Sequence, residues 1–117
     1  MTVAREEDLY EPVKAFLEGQ GYAVKAEIRG CDLVARRGDE PPVIVELKKA
    51  FNLALLLQGV DRLAVSDQVY LAFAAPTRAA AWRRDRRAIV KLCRRLGLGL
   101  LAVHPEAALV EPLVDPL

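Results

Sequence analysis

The chain has 117 residues, is 53% hydrophobic and carries a formal net charge of +1, which suits one globular domain with a core of its own and is too short for two. No run approaches the roughly 18 to 20 uninterrupted apolar residues of a membrane span, and MTVAREEDLY at the start lacks a basic region followed by an apolar stretch, so a cytoplasmic protein is expected. Cys31 and Cys93 have no paired-Cys or Cys/His ligand spacing; this disfavours a disulfide framework and a zinc site and leaves both as core thiols.

In chain order, residues 5–18 place Leu9, Val13, Phe16 and Leu17 at helical spacing, with Glu6, Glu7 and Asp8 in the first turn and Gly19 and Gly21 past the end. That pattern predicts an amphipathic helix. Tyr22 to Ile28 and Cys31 to Arg36 read as strands, and RGDEPP is a turn into a third strand, Val43 to Leu47. Asn52 suits the N-cap of a helix over 53–65, whose apolar stripe is Leu53, Leu56, Leu57, Val60, Leu63 and Ala64. A strand follows over 68–75 and Pro76 ends it. A helix is predicted over 79–96 with Gly97 as its stop, then a strand over 98–103 and an edge strand over 107–111 in a proline-broken tail. The order is α-β-β-β-α-β-α-β, with no internal repeat or linker.

Charge is unevenly placed along this order. Between residues 78 and 95, eight basic residues stand against one acid, Asp85. A count of about 100° per residue sets Arg83, Arg84, Arg87, Lys91, Arg94 and Arg95 on one face, opposite Trp82, Ile89, Leu92, Cys93 and Leu96. Such a face tracks a phosphate backbone or is simply solvated.

The stretch PPVIVELKKAFN, residues 41–52, carries the chemistry. An apparently buried strand, Val43 to Val45, runs into Glu46, Leu47 and Lys48, and the strand period of two puts Glu46 and Lys48 on one side of the chain. The preceding strand begins with Asp32 in GCDLVARRG. A hairpin turning at RGDEPP therefore brings the start of one strand beside the end of the next, and the carboxylates of Asp32 and Glu46 should meet. Two close carboxylates repel unless a proton or a cation intervenes, and hard oxygen ligands favour Mg²⁺ or Mn²⁺. A lysine beside such a metal can orient the attacking water and stabilise charge developing on a phosphate. The alternative for these three residues is a structural ion-pair cluster. His104, alone before Pro105, reads as a loop or core histidine rather than a base, and the glycines form no phosphate loop.

These residues resemble the PD-(D/E)XK nuclease superfamily, in which a strand-borne Asp and a downstream Glu-x-Lys sit on a restriction-endonuclease-like αβββαβ core. The matching residues are Asp32 in GCDLVA and Glu46 and Lys48 in VELKK, and the resemblance covers roughly residues 5–75. LYEPVKAFLEGQGYAV is similar to the first helix and strand of archaeal Holliday-junction resolvases and their relatives; the whole looks most like an uncharacterised bacterial branch. Cys31 departs from the proline of the superfamily's name.

The resemblance implies an α/β fold with a mixed central sheet flanked by helices, here followed by the basic helix and a C-terminal strand. It implies a Mg²⁺- or Mn²⁺-dependent nuclease acting on DNA, with metal held by Asp32, Glu46 and the carbonyl of Leu47, and with Lys48 assisting the water. Related nucleases draw a further acid from the first helix. Glu6, three before Leu9 and seven before Val13, is the candidate by helical count, although it also suits the helix dipole. They also often place a glutamine where Gln58 stands, off the apolar stripe of the second helix, a position equally suited to solvent. The rival expectation is a nuclease-like fold without activity, serving as a nucleic-acid-binding or protein-interaction module. Cutting both strands of a duplex needs a second site, so a homodimer is expected, with Leu55 and the tail ALVEPLVDPL as contact surfaces.

Overall fold

The computed structural model describes residues 6–28, 31–75 and 80–117 of the chain. Six strands form one sheet in sequence order: β1 (Ala23–Ile28), β2 (Cys31–Arg36), β3 (Val43–Lys48), β4 (Gln68–Ala74), β5 (Gly99–His104) and β6 (Leu109–Val114). The first three form an antiparallel meander, β3, β4 and β5 run parallel, and β6 returns antiparallel. The two parallel steps need crossovers, supplied by α2 (Leu53–Arg62) and α3 (Ala80–Leu96). The protein is thus an α/β domain with a mixed six-stranded sheet flanked by helices. Among the described residues no helix is long and apolar enough to cross a membrane.

Parity along the strands assigns each side chain to a face. Val43, Val45 and Leu47 of β3 and Leu33 and Ala35 of β2 pack with Leu9, Val13 and Leu17 of the first helical segment. Ile44 points the other way, into a cluster with Leu55 of α2, Cys93 of α3 and Leu71 and Phe73 of β4. The first helix therefore covers one face of the sheet, and α2 and α3 cover the other. Asp32 and Glu46 share the parity of Val34 and Ile44, so both carboxylates are directed to the α2 face.

The first segment starts as a 3₁₀ turn, Glu6–Leu9, before α1 (Tyr10–Glu18). Asn52 caps α2 as expected, its Oδ1 accepting from Leu55 N–H at 2.9 Å. The helix ends at Arg62, three residues earlier than predicted, and Ser66 anchors the connection by donating to Pro42 O at 2.6 Å while accepting from Gln68 N–H at 3.1 Å. Gly97, at φ +77°, stops α3 in the conformation that glycine adopts most cheaply. The last strand lies two to three residues later than predicted, after a 3₁₀ turn at Pro105–Ala107, and Pro112 sits beyond a register shift at the sheet edge, where it interrupts no interior ladder.

The face of α2 differs from the one its apolar stripe predicts. Leu55 and Gly59 are buried and Leu56 and Leu63 are partly so, while Leu53, Leu57 and Val60 are 67%, 54% and 41% exposed. Gly59 explains the rotation, because a Cβ there would lie 2.4 Å from Leu71 Cδ2. The backbone approaches β4 at the one residue without a side chain, and the leucines are turned out. Leu55 is fully buried and contributes nothing to an external contact surface. On α3, Leu92 and Leu96 are 40% and 38% exposed and Val90 takes their place beside Trp82, Ile89 and Cys93. Cys93 is a core thiol, its pKa pushed up to about 11 by burial. Arg5, Pro76 and Arg78, and the side chain of Cys31, lie outside the described residues.

Candidate active site

The β2–β3 ladder runs from Ala35↔Val43 to Leu33↔Val45, and one further step along this register sets Asp32 opposite Glu46. There the side chains replace the backbone pairing. Asp32 Oδ2 accepts from Leu47 N–H at 2.8 Å, and Glu46 Oε2 accepts from Asp32 N–H at 3.3 Å. Each carboxylate is tied to the backbone of the other strand, which fixes the two acids beside each other. The hairpin thus brings together the two residues that the sequence singled out.

A third group joins them that the sequence reading missed. Arg62, in the last turn of α2, places Nε 3.3 Å from Glu46 Oε2. Glu46 is only 1% exposed and Arg62 is 24% exposed, so the pair is shielded from solvent on one side. Burial, and then the negative charge of Asp32, push the Glu46 carboxyl above its ordinary range, while the Asp32 N–H and the Arg62 guanidinium pull in the opposite direction. The arginine is thus the cation that the two carboxylates call for in the protein by itself. One signal would have found it. Once Gly59 is turned to the sheet, Arg62 falls close to Leu55 on the helical count, on the inward side.

Gln58 precedes Arg62 by one turn and lies on the same side of α2. Its neighbour Gly59 abuts Leu71, which pairs with Glu46, so Gln58 stands level with the carboxylates. It is partly buried, and its Oε1 is buried with no hydrogen-bond partner among the described residues. Lys48 shares the parity of Glu46, is partly buried, and makes no hydrogen bond or ion pair among the described residues. Leu47, whose carbonyl is the remaining expected ligand, has its side chain on the α1 face and its N–H held by Asp32.

Glu6 is placed differently from expectation. It is exposed, at the start of the 3₁₀ turn whose last residue, Leu9, is buried. The 100° count treats Glu6 as part of a continuous helix, but it is the first residue of the 3₁₀ turn, at the end of the element, where a charged side chain stays in water. α1 also covers the sheet face opposite Asp32 and Glu46, so Glu6 shares their end of the sheet without pointing inward among them. No group of three or more His, Cys, Asp or Glu residues that could hold a metal is found among the described residues.

The donors present nevertheless fit a hard divalent cation. One oxygen of each carboxylate is engaged by a backbone N–H, while Asp32 Oδ1, Glu46 Oε1 and Gln58 Oε1 accept no hydrogen bond among the described residues. Oxygen donors suit Mg²⁺, which takes one or two carboxylates plus substrate oxygens.

On α3, all six predicted cations, Arg83, Arg84, Arg87, Lys91, Arg94 and Arg95, are exposed, but they divide. Arg87, Lys91 and Arg94, with Arg86, line a groove of about 600 Å³ between α3 and β6, alongside Val90 and Leu113. Arg86 is 3.6 Å from Glu111, which also lies 3.7 Å from His104. Arg84 is paired with its neighbour Asp85 at 3.1 Å, and Arg83, Arg84 and Arg95 do not line the groove. The groove and the carboxylates occupy the same sheet face with α2 between them, about 15 Å apart at the usual strand spacing. No family model matches the chain, and no curated protein is significantly similar to it.

Proposed function

We propose that this domain is a restriction-endonuclease-like, divalent-metal-dependent nuclease that hydrolyses phosphodiester bonds of DNA. The observation that carries the reading is the pair Asp32 and Glu46, locked across β2 and β3 by reciprocal side-chain to backbone hydrogen bonds with one oxygen of each left over. Asp32, Glu46 and the Leu47 carbonyl would hold Mg²⁺, and when bound the ion supplies Lewis-acid polarisation of the phosphoryl group and a more acidic water. Lys48, on the Glu46 side of β3, offers its ammonium to the charge that develops on the phosphate as water adds and the alkoxide leaves. Gln58 Oε1 is an acceptor without a partner among the described residues and is suited to orient that water. The cations of the α3 groove supply sequence-independent grip on the phosphate backbone.

A second reading has its own support. Arg62 already pairs with Glu46, and among the described residues no third acid joins the two, as befits a nuclease-like fold that grips nucleic acid without cutting it. Calorimetry with Mn²⁺ and incubation with single-stranded, duplex and branched DNA separate the two. The nuclease reading expects Mn²⁺ binding that Asp32→Asn abolishes in a folded protein, and cleavage that Lys48→Ala abolishes. DNA binding without any Mn²⁺ uptake would overturn it in favour of the second reading.

A further inference from the structure

The outer surface of the α2–α3 layer is more apolar than a solvated helix layer needs to be. Leu53, Leu57, Val60 and Ala64 follow one another at intervals of four, three and four residues along the exposed side of α2, the 3–4 alternation of a helix-pairing seam. Leu92 and Leu96 form a shorter exposed ridge on α3.

The two ridges are neighbours. α2 and α3 are both crossovers between parallel strands on one sheet face, so they run in the same direction, and Leu98, just past α3, approaches Gly59 of α2, where a Cβ would be 3.4 Å from its Cδ2. On the helical count Leu92 and Leu96 lie on the side of Cys93 away from Arg87, Lys91 and Arg94. Because those cations face β6, the leucines face α2.

Leu53, Leu57, Val60, Val65, Leu92 and Leu96, at 38–67% exposure, present on the order of 500 Å² of apolar surface, toward the top of what a monomer leaves open. That is about the apolar share of one side of a standard interface of about 800 Å² per partner. The rim of the patch is self-complementary in charge. Asp61 stands beyond the α2 ridge and Arg95 beyond the α3 ridge, both exposed.

We infer that this face docks a second copy of the chain, about a two-fold axis that runs along the helices between α2 and α3. That axis lays α2 of one copy on α3 of the other, apolar ridge on apolar ridge, and sets Asp61 against the partner's Arg95. This pairing does not use the tail. The α3–β6 groove lies on the other side of α3, and the Arg62 side of α2 turns inward, so the pairing leaves the carboxylates and the cationic groove open. The inference stands apart from the nuclease reading, since neither the axis nor the patch involves Asp32, Glu46 or Lys48.

Sedimentation equilibrium or light scattering across the micromolar range tests it. The mass should rise from 12.9 kDa to about twice that value with concentration. Leu57→Glu, at an exposed position, should weaken association about 30-fold or more, as loss of a central anchor does, while leaving the circular dichroism spectrum unchanged. Leu53→Gln, one turn away, serves if Leu57→Glu fails to fold. Asp61→Arg should weaken association several-fold, and Asp61→Arg with Arg95→Asp should restore it. A constant 12.9 kDa up to hundreds of micromolar would overturn the inference and give the face to some other occupant, as would an unaltered dimer in both leucine variants. Failure of the charge reversal to rescue would overturn the axis.

Discussion

The two crossover helices lie on the same face of the same sheet and are built inside out relative to each other. α3 follows the common pattern: Cys93, Ile89, Val90 and Trp82 go inward and its cations face water. α2 turns Gln58 and Arg62 toward the sheet side and leaves Leu53, Leu57 and Val60 outside. A helix that gives up leucine burial to point a glutamine and an arginine inward must be compensated by what those groups meet. Here the arginine meets Glu46, a buried carboxylate whose charge is raised in cost by Asp32, while Gln58 Oε1 finds no partner among the described residues. The difference teaches that helical polarity is set by the neighbours of a helix as much as by its own composition, and that an inverted amphipathic pattern marks the element serving a site.

The largest effect that can break this comparison is on stability. Leu55→Ala should cost about 3 kcal/mol in urea unfolding, within the range for a fully buried leucine. Leu57→Ala should stay within about 0.5 kcal/mol at concentrations where the protein is monomeric. Equal costs at both positions would restore the orientation of α2 that the apolar stripe predicts.

The next largest effect concerns the inward arginine. Arg62→Met leaves Glu46 without its guanidinium and should destabilise the protein by about 2 kcal/mol at neutral pH, less than the 3–5 kcal/mol of a fully buried pair because Arg62 is 24% exposed. Glu46→Gln in that background should recover most of the loss, since glutamine keeps an acceptor for Asp32 N–H and removes the charge. A double-mutant cycle with no coupling between the two sites would contradict the contact.

The pH dependence sharpens the same point. The Glu46 carboxyl is raised in the fold, chiefly by burial and then by Asp32, so the folded state holds its proton more tightly than the unfolded chain does. Its contribution is fully present below the ordinary carboxylate range and is lost as the pH rises through the raised value. Glu46→Gln alone should therefore be more favourable relative to the native protein at pH 7 than at pH 4. Thermal unfolding at the two pH values checks the sign, and a reversed order would mean that Arg62 outweighs burial.

The smallest expected effect is on α3. Arg87→Ala and Lys91→Ala should each weaken binding to unrelated DNA sequences about equally, and each should lower the salt slope by about one unit. Arg84→Ala, outside the groove and already paired with Asp85, should change little. Equal losses at all three positions would mean that the whole exposed face binds, rather than the groove.

Local chemistry determined a good deal of this protein in advance. The alternation and turn residues of 22–47 specify the meander, Asn52 specifies the start of α2, and the offset between Asp32 and Glu46 across RGDEPP specifies that the two carboxylates meet, because strand pairing conserves register. The cations of α3 are exposed for the same kind of reason, since charged groups seek water whatever the fold. Tertiary packing decided the rest. The rotation of α2 depends on how closely Gly59 can approach Leu71, a contact between residues on different elements that no periodicity within α2 records. That rotation brings Arg62 to Glu46, leaves Gln58 Oε1 unpartnered, buries Leu55 and exposes Leu57. The division of the α3 cations into groove and open surface likewise depended on where β6 would return. Helical counts place residues relative to one another, but which of them face the sheet is set by how closely the helix backbone can approach the side chains beneath it.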